Sequence, residues 1–233
     1  NAVYNNAEQH TGTTLLLASV FFTFQIYCDF AGYSNIAIGA AKVMGFELME
    51  NFRRPYWATS IREFWKRWHI SLSSWFRDYV YIPLGGNRVS YPRHLLNLFI
   101  TFLVSGIWHG ANWTFIFYGM YYFVLIFIEN ILEEPLKKLT EKLHINMESI
   151  GFRIFRAIKL FIIVVTGELF FNAASLKDGF MMFGRIFTDF HISKLTSSIF
   201  QLKMDRYDIP VVAVGIILVT IVGALKEKNI EIR

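Results

Sequence analysis

The chain has 233 residues, 54% of them hydrophobic and 18% aromatic, with a mean hydropathy of +0.38 and a formal net charge of +5. Apolar content arranged in several long charge-free runs excludes an ordinary soluble domain, and the single cysteine, Cys28, excludes an internal disulfide. The fold class these features predict is all-α: a polytopic membrane helix bundle with re-entrant or interfacial helices.

The first ten residues are polar around Asn5, Asn6, Glu8 and Gln9, and the first charge-free run follows at once, from Thr11 to Cys28. A membrane span needs about 20 mostly apolar residues. The sequence opens at Asn1 with no basic stretch and no cleavage signal before that run, so no signal peptide is predicted. The whole of 1–233 is expected to be one membrane domain, the C-terminal part of a longer protein.

The net charge is concentrated between Glu50 and His94. Arg53, Arg54, Arg62, Lys66, Arg67, Arg77, Arg88 and Arg93 stand there against Glu50, Glu63 and Asp78, which equals the excess of the entire chain. The positive-inside rule puts this segment on the cytoplasmic side. Such charges serve orientation against anionic lipid, or they also meet an anionic donor such as coenzyme A. Within the segment, 60–79 reads as one interfacial amphipathic helix. Ser60 and Glu63 have capping-box spacing. Ile61, Phe64, Trp65, Trp68, Leu72, Trp75, Phe76 and Tyr79 share one arc, and Arg62, Lys66, Ser73 and Arg77 form a polar column beside it. His69 lies on the border between the two. Pro83-Leu-Gly-Gly-Asn87 is the turn that ends the segment.

No Asp, Glu, Lys or Arg occurs from Leu95 to Ile128. That run is too long for one span, and Gly106, Gly110 and Asn112 cluster inside it, which predicts a helix pair over 95–131 broken at His109. A helix rising about 1.5 Å per residue from the cytoplasmic surface near Arg93 carries His109 about 20–22 Å inward, into the far half of a core about 30 Å thick. An ionisable group at that depth is a functional candidate, and a broken helix there lies inside protein or around a water-filled cavity. A histidine that only hydrogen-bonds a neighbouring helix is the alternative. The chain then returns to a charged loop from Glu133 to Lys142. Two further apolar runs follow, Leu160–Leu176, interrupted by Glu168, and Ile209–Leu225. Glu168 is expected to pair with another helix. His10, His94, His144 and His191 read as ordinary surface residues.

Other chemistries find little support. His69 and His109 with Cys28 and Asp29 lack metal-ligand spacing, so no metal or bound cofactor is expected. Gly85-Gly86 is not a phosphate loop, and there is no Gly-x-Ser-x-Gly elbow. The aromatics of the basic segment fall on the membrane-facing arc, which argues against nucleic acid.

Five strings resemble the membrane-bound O-acyltransferase (MBOAT) family, and most closely its bacterial alginate O-acetyltransferase-like branch. They are Asp29-Phe-Ala-Gly-Tyr-Ser-Asn-Ile-Ala-Ile-Gly39, Asn51-Phe-Arg-Arg-Pro-Tyr56, Ile61-Arg-Glu-Phe-Trp-Lys-Arg-Trp-His-Ile-Ser-Leu-Ser-Ser-Trp-Phe-Arg-Asp-Tyr79, Tyr81-Ile-Pro-Leu-Gly-Gly-Asn-Arg88 and Trp108-His-Gly-Ala-Asn-Trp113. The similarity runs from about Gln25 to Glu129 and more loosely over 168–187. It implies a helical membrane fold around a tunnel and acyl transfer onto hydroxyls, with His109 as the catalytic residue and His69 in support. Arg62, Lys66, Arg67, Arg77, Trp108 and Asn112 are the expected donor-binding residues.

The resemblance further implies a bacterial cytoplasmic-membrane protein that takes an acyl group, acetyl from acetyl-CoA in the first instance, across the bilayer. An extracytoplasmic acetyltransferase partner would then O-acetylate an exported or cell-surface polysaccharide. Transfer of D-alanine from a carrier protein toward teichoic acid is the alternative within the family. A proton-coupled transporter or channel is the rival of another class. Asn172 stands where the branch often has Arg, which leaves the role of that position open.

Overall fold

The structure is a computed structural model that describes residues 2–202, 204–205 and 207–227. It is all-helical: no strand occurs among the described residues. The helices are α1 (Gly12–Val43), α2 (Ile61–Arg67), α3 (Ile70–Phe76), α4 (Tyr91–His109), α5 (Trp113–Lys142), α6 (Ile150–Asn172), α7 (Leu176–Thr188), α8 (Leu195–Gln201) and α9 (Asp208–Glu227). Three of them, α1, α5 and α9, are long and apolar enough to cross a membrane. The chain divides into two compact units, Asn1–Phe30 with Val164–Arg233, and Ala31–Ile163.

In the unit formed by Asn1–Phe30 and Val164–Arg233, hydroxyl groups do much of the joining. Thr14 Oγ1 lies within hydrogen-bond distance of Ser198 Oγ (2.9 Å) and Gln201 Oε1 (3.0 Å), and Thr13 exchanges bonds with the backbone of His191. Gly12 lies so close to α7 that a Cβ there would stand 2.0 Å from the Arg185 carbonyl oxygen. Tyr4 donates to Ser19 Oγ (3.1 Å), and Glu168 is buried in the same unit, 1% exposed. His191 is exposed, as its surface reading has it, and its ring meets Asp189 (3.1 Å), whereas His10 is half-buried and its ring meets Gln201 (3.3 Å).

The unit Ala31–Ile163 is built on the α4–α5 hairpin. Glycine makes the close approach possible from both sides. A Cβ on Gly119 would lie 2.3 Å from the Phe102 carbonyl oxygen, and one on Gly106 would lie 2.7 Å from that of Phe115. Small residues that let helix backbones touch are the usual packing device where no hydrophobic drive separates helix from lipid. Against this hairpin α2 lays Phe64, stacked on Tyr122, and Trp65, edge-on to Tyr122 and Phe102.

Two expectations about local structure change. The continuous helix over 60–79 is interrupted: α2 ends at Arg67, α3 begins at Ile70, and a π-helical turn follows at Arg77–Tyr81. Arg53 N–H donates to the Arg67 carbonyl (2.9 Å) and Ile70 N–H to the Asn51 carbonyl (3.0 Å). Those groups therefore turn away from the helix ladder toward a segment distant in sequence. The apolar arc consequently holds only in part. Ile61, Phe64, Trp68 and Phe76 are buried, whereas Trp75 and Tyr79 are 50% and 69% exposed. Glu133–Lys142 is also not a loop, since α5 continues through it with Pro135 inside the helix. Glu, Lys and Leu are strong helix formers, and the registered charges suit an exposed helix end.

Candidate active site

The predicted break near His109 has a defined geometry. His109 is the last residue of α4, and Gly110 follows at φ +145°, a conformation closed to most side chains. Asn112 then caps α5, its Oδ1 accepting the Thr114 N–H at 3.1 Å. This gives Asn112 a local structural role at the start of α5 beside its expected place in donor binding. The half-buried His109 ring packs among Trp108, Phe115 and Tyr118, with centroid distances of 5.0, 6.0 and 6.1 Å.

The second histidine arrives from the other break. His69 joins α2 to α3 with φ 45° and ψ 54°, the left-handed region. Its ring lies 6.3 Å, centroid to centroid, from Trp108 and 6.4 Å from Phe52. Burial first, and then the nearness of His109, push the His69 imidazole down to about 4, so it is neutral at physiological pH. Thus His69, Trp108 and His109, taken from two separate chain breaks, share one aromatic-walled locality. Trp108 is 55% exposed there.

The basic residues do not gather with them as a free cationic cluster. Arg62 pairs with Glu129 (3.6 Å) and with Glu133, while the Ile61 and Arg62 N–H groups donate to the Glu129 carboxylate (3.3 and 3.4 Å). Arg67 pairs with Glu63. Burial alone would raise the Glu63 carboxyl, but the Thr59 N–H and Arg67 bring it below the usual carboxylate range. Arg77 is exposed and bonds Asp78 through Nε and Nη2 (2.7 and 3.1 Å). Lys66 is exposed, and no ion pair ties it among the described residues. The capping box is real but displaced by one residue. Ser60 Oγ accepts the Glu63 N–H, and Glu63 reaches back to Thr59 rather than to Ser60.

Composition and spacing left several contributors unassigned. Asn51 and Phe52 brace the His69 break, Tyr118 and Phe115 wall the His109 ring, and Glu129 fixes the start of α2. The Asn51–Tyr56 string was the available signal, since it is distinctive without containing an obvious catalyst. Among the described residues no group of three His, Cys, Asp or Glu side chains could hold a metal ion.

The sequence profile of the membrane-bound O-acyltransferase family matches residues 3–175, and the chain belongs to that family. It is 42% identical over 181 residues to the probable alginate O-acetylase of Pseudomonas syringae, covering 77% of this chain and 33% of that protein. Over 134 residues it is 41% identical to the peptidoglycan O-acetyltransferase of Helicobacter pylori, covering 58% of this chain and 25% of the relative. Over 132 residues it is 36% identical to the teichoic acid D-alanyltransferase of Bacillus subtilis, covering 53% of this chain and 33% of the relative. The chain thus spans about a third of the length of the alginate O-acetylase it matches.

Proposed function

We propose that the chain supplies the histidine centre of a bacterial multi-pass O-acyltransferase in the cytoplasmic membrane. The enzyme takes an acetyl group from acetyl-CoA at the cytoplasmic face and passes it across the bilayer for O-acetylation of an exported or cell-surface polysaccharide. The observation that carries this reading is the meeting of His69 and His109 across Trp108. In the proposed step the neutral His109 removes the proton from an attacking hydroxyl. The hydroxyl oxygen bonds to the thioester carbonyl carbon, the carbon–sulfur bond breaks, and the proton goes on to the departing thiolate. His69, neutral and alongside, orients the donor or the His109 ring. The attacking hydroxyl belongs to an acetyltransferase on the outer side, which receives the acyl group as an ester and passes it to a polysaccharide hydroxyl.

Donor contact falls to Lys66, because Arg62, Arg67 and Arg77 are engaged in ion pairs. Purified full-length protein in liposomes, given radiolabelled acetyl-CoA, is expected to transfer acetyl. Lys66→Glu is expected to raise KM for acetyl-CoA severalfold with protein level unchanged. An unchanged KM removes Lys66 from the donor site. Turnover with a D-alanyl carrier protein and none with acetyl-CoA moves the reading to the D-alanyl branch.

Orientation follows from the basic segment. In a Cys28→Ser background of the full-length protein, a cysteine at Asn87 is expected to react with an impermeant maleimide only after permeabilisation. One at Lys194 is expected to react in intact cells. The opposite pattern inverts the topology.

A further inference from the structure

We propose that Asn51 is the positioning residue that holds His69 in the reaction centre, a role that rests on the acyl-transfer reading above. His69 occupies the N-cap position of α3, yet its side chain makes no cap bond. Ordinarily an N-cap side chain accepts a hydrogen bond from an N–H of the first turn. Here Asn51 does so from outside the helix. Its Oδ1 accepts both the Ser71 N–H (3.2 Å) and the Ser71 hydroxyl (3.0 Å). Capping is thereby transferred to another residue, and the His69 imidazole is directed to the Trp108 side instead.

The same residue fixes the backbone. A non-glycine residue at positive φ persists only where its surroundings over-determine it. The Asn51 carbonyl accepts the Ile70 N–H at 3.0 Å, and two residues later Arg53 N–H reaches the Arg67 carbonyl at 2.9 Å. These two bonds bracket Trp68 and His69. Asn51 is itself anchored, its Nδ2 donating to the buried Ser34 Oγ of α1 at 3.1 Å. Between the two backbone bonds Phe52 packs edge-on to Trp68 (5.0 Å) and near the His69 ring. An amide suits this position because it accepts on one side and donates on the other. Aspartate keeps the acceptor that Ser71 needs and loses only the donation to Ser34, whereas alanine loses both.

The test uses full-length protein in liposomes carrying Asn51→Ala or Asn51→Asp, each with native His69 and with His69→Ala. Acetyl transfer from acetyl-CoA is measured together with the rates at which diethylpyrocarbonate modifies His69 and His109, followed by mass spectrometry. Asn51→Ala is expected to lower kcat about 10–100-fold, the scale of a misplaced catalytic group, with KM for acetyl-CoA unchanged. Asn51→Asp is expected to restore most of kcat, and Asn51→Ala to cost nothing further once His69 is alanine. His69 is expected to react severalfold faster in Asn51→Ala while His109 reacts at its native rate. Native labelling of His69 in Asn51→Ala overturns the proposal. So does a loss of kcat of equal factor in the His69→Ala background, or equal acceleration at both histidines, which marks a general loosening of the fold. If the unaltered protein transfers no acetyl, the acyl-transfer reading fails, and the labelling rates alone still decide whether Asn51 holds His69.

Discussion

Replacing His109 with alanine in the full-length protein is expected to lower acyl transfer by about 10²–10⁴-fold, the usual contribution of a general base, with little change in the amount of protein in the membrane. The residue is terminal in α4, next to a glycine at φ +145°, and its ring packs against Trp108 and Tyr118. Loss of its imidazole is therefore expected to remove the proposed general base while leaving α4 and the Asn112 cap intact. A histidine that merely bonded a neighbour would show the reverse pattern, with about 1–3 kcal/mol of stability lost and turnover per folded molecule preserved. Rate and protein level measured on the same preparation separate the two.

Gly119→Leu is expected to be the most damaging single change to the fold of this region. Its Cβ would fall 2.3 Å from the Phe102 carbonyl oxygen, a backbone atom that yields only if α4 and α5 move apart. Overpacking of a well-filled contact typically costs about 1–3 kcal/mol and occasionally more. Here the shift would spread to Trp65 and Tyr122, which pack where α2 meets the hairpin. The expected result is a large fall in folded protein, read as loss of the monodisperse peak in detergent and a lowered Tm. Gly151→Leu is the control, because nothing stands within 4 Å of a Cβ there. Equal behaviour of the two variants would show that the glycine contact is not what sets the helix spacing.

The region around His109 was the most legible in sequence. A charge-free run with Gly110 and Asn112 in its middle states locally that a helix stops and another starts, and the structure puts α4 and α5 on either side. The His69 break was not legible, because its cause is not local. The periodicity of 60–79 is that of a helix, and the bonds that interrupt it come from Asn51 and Arg53. The partners of Arg62 in the polar column were hidden for the same reason. Arg62 has its partners in Glu129 and Glu133, far away in sequence. No wheel drawn on 60–79 could show that the Arg62 charge was already matched. The helical course of Glu133–Lys142 was misread for the opposite reason: charge density suggested a loop, while helix propensity prevailed there even with Pro135 inside the helix. Glu168, conspicuous in its apolar run, belongs to a different compact unit from His69 and His109.

The proposed centre makes His69 and His109 parts of one machine, and a double-mutant cycle tests that most directly. Acetyl incorporation into exported polysaccharide would be measured for cells making equal amounts of the full-length protein, His69→Ala, His109→Ala and the double variant. Residues that act as a unit have grossly non-additive effects. The predicted result is near-complete loss with His109→Ala, a milder loss with His69→Ala, and a double variant no worse than His109→Ala alone. Wild-type incorporation by His109→Ala, or losses that multiply in the double variant, would contradict a shared histidine centre.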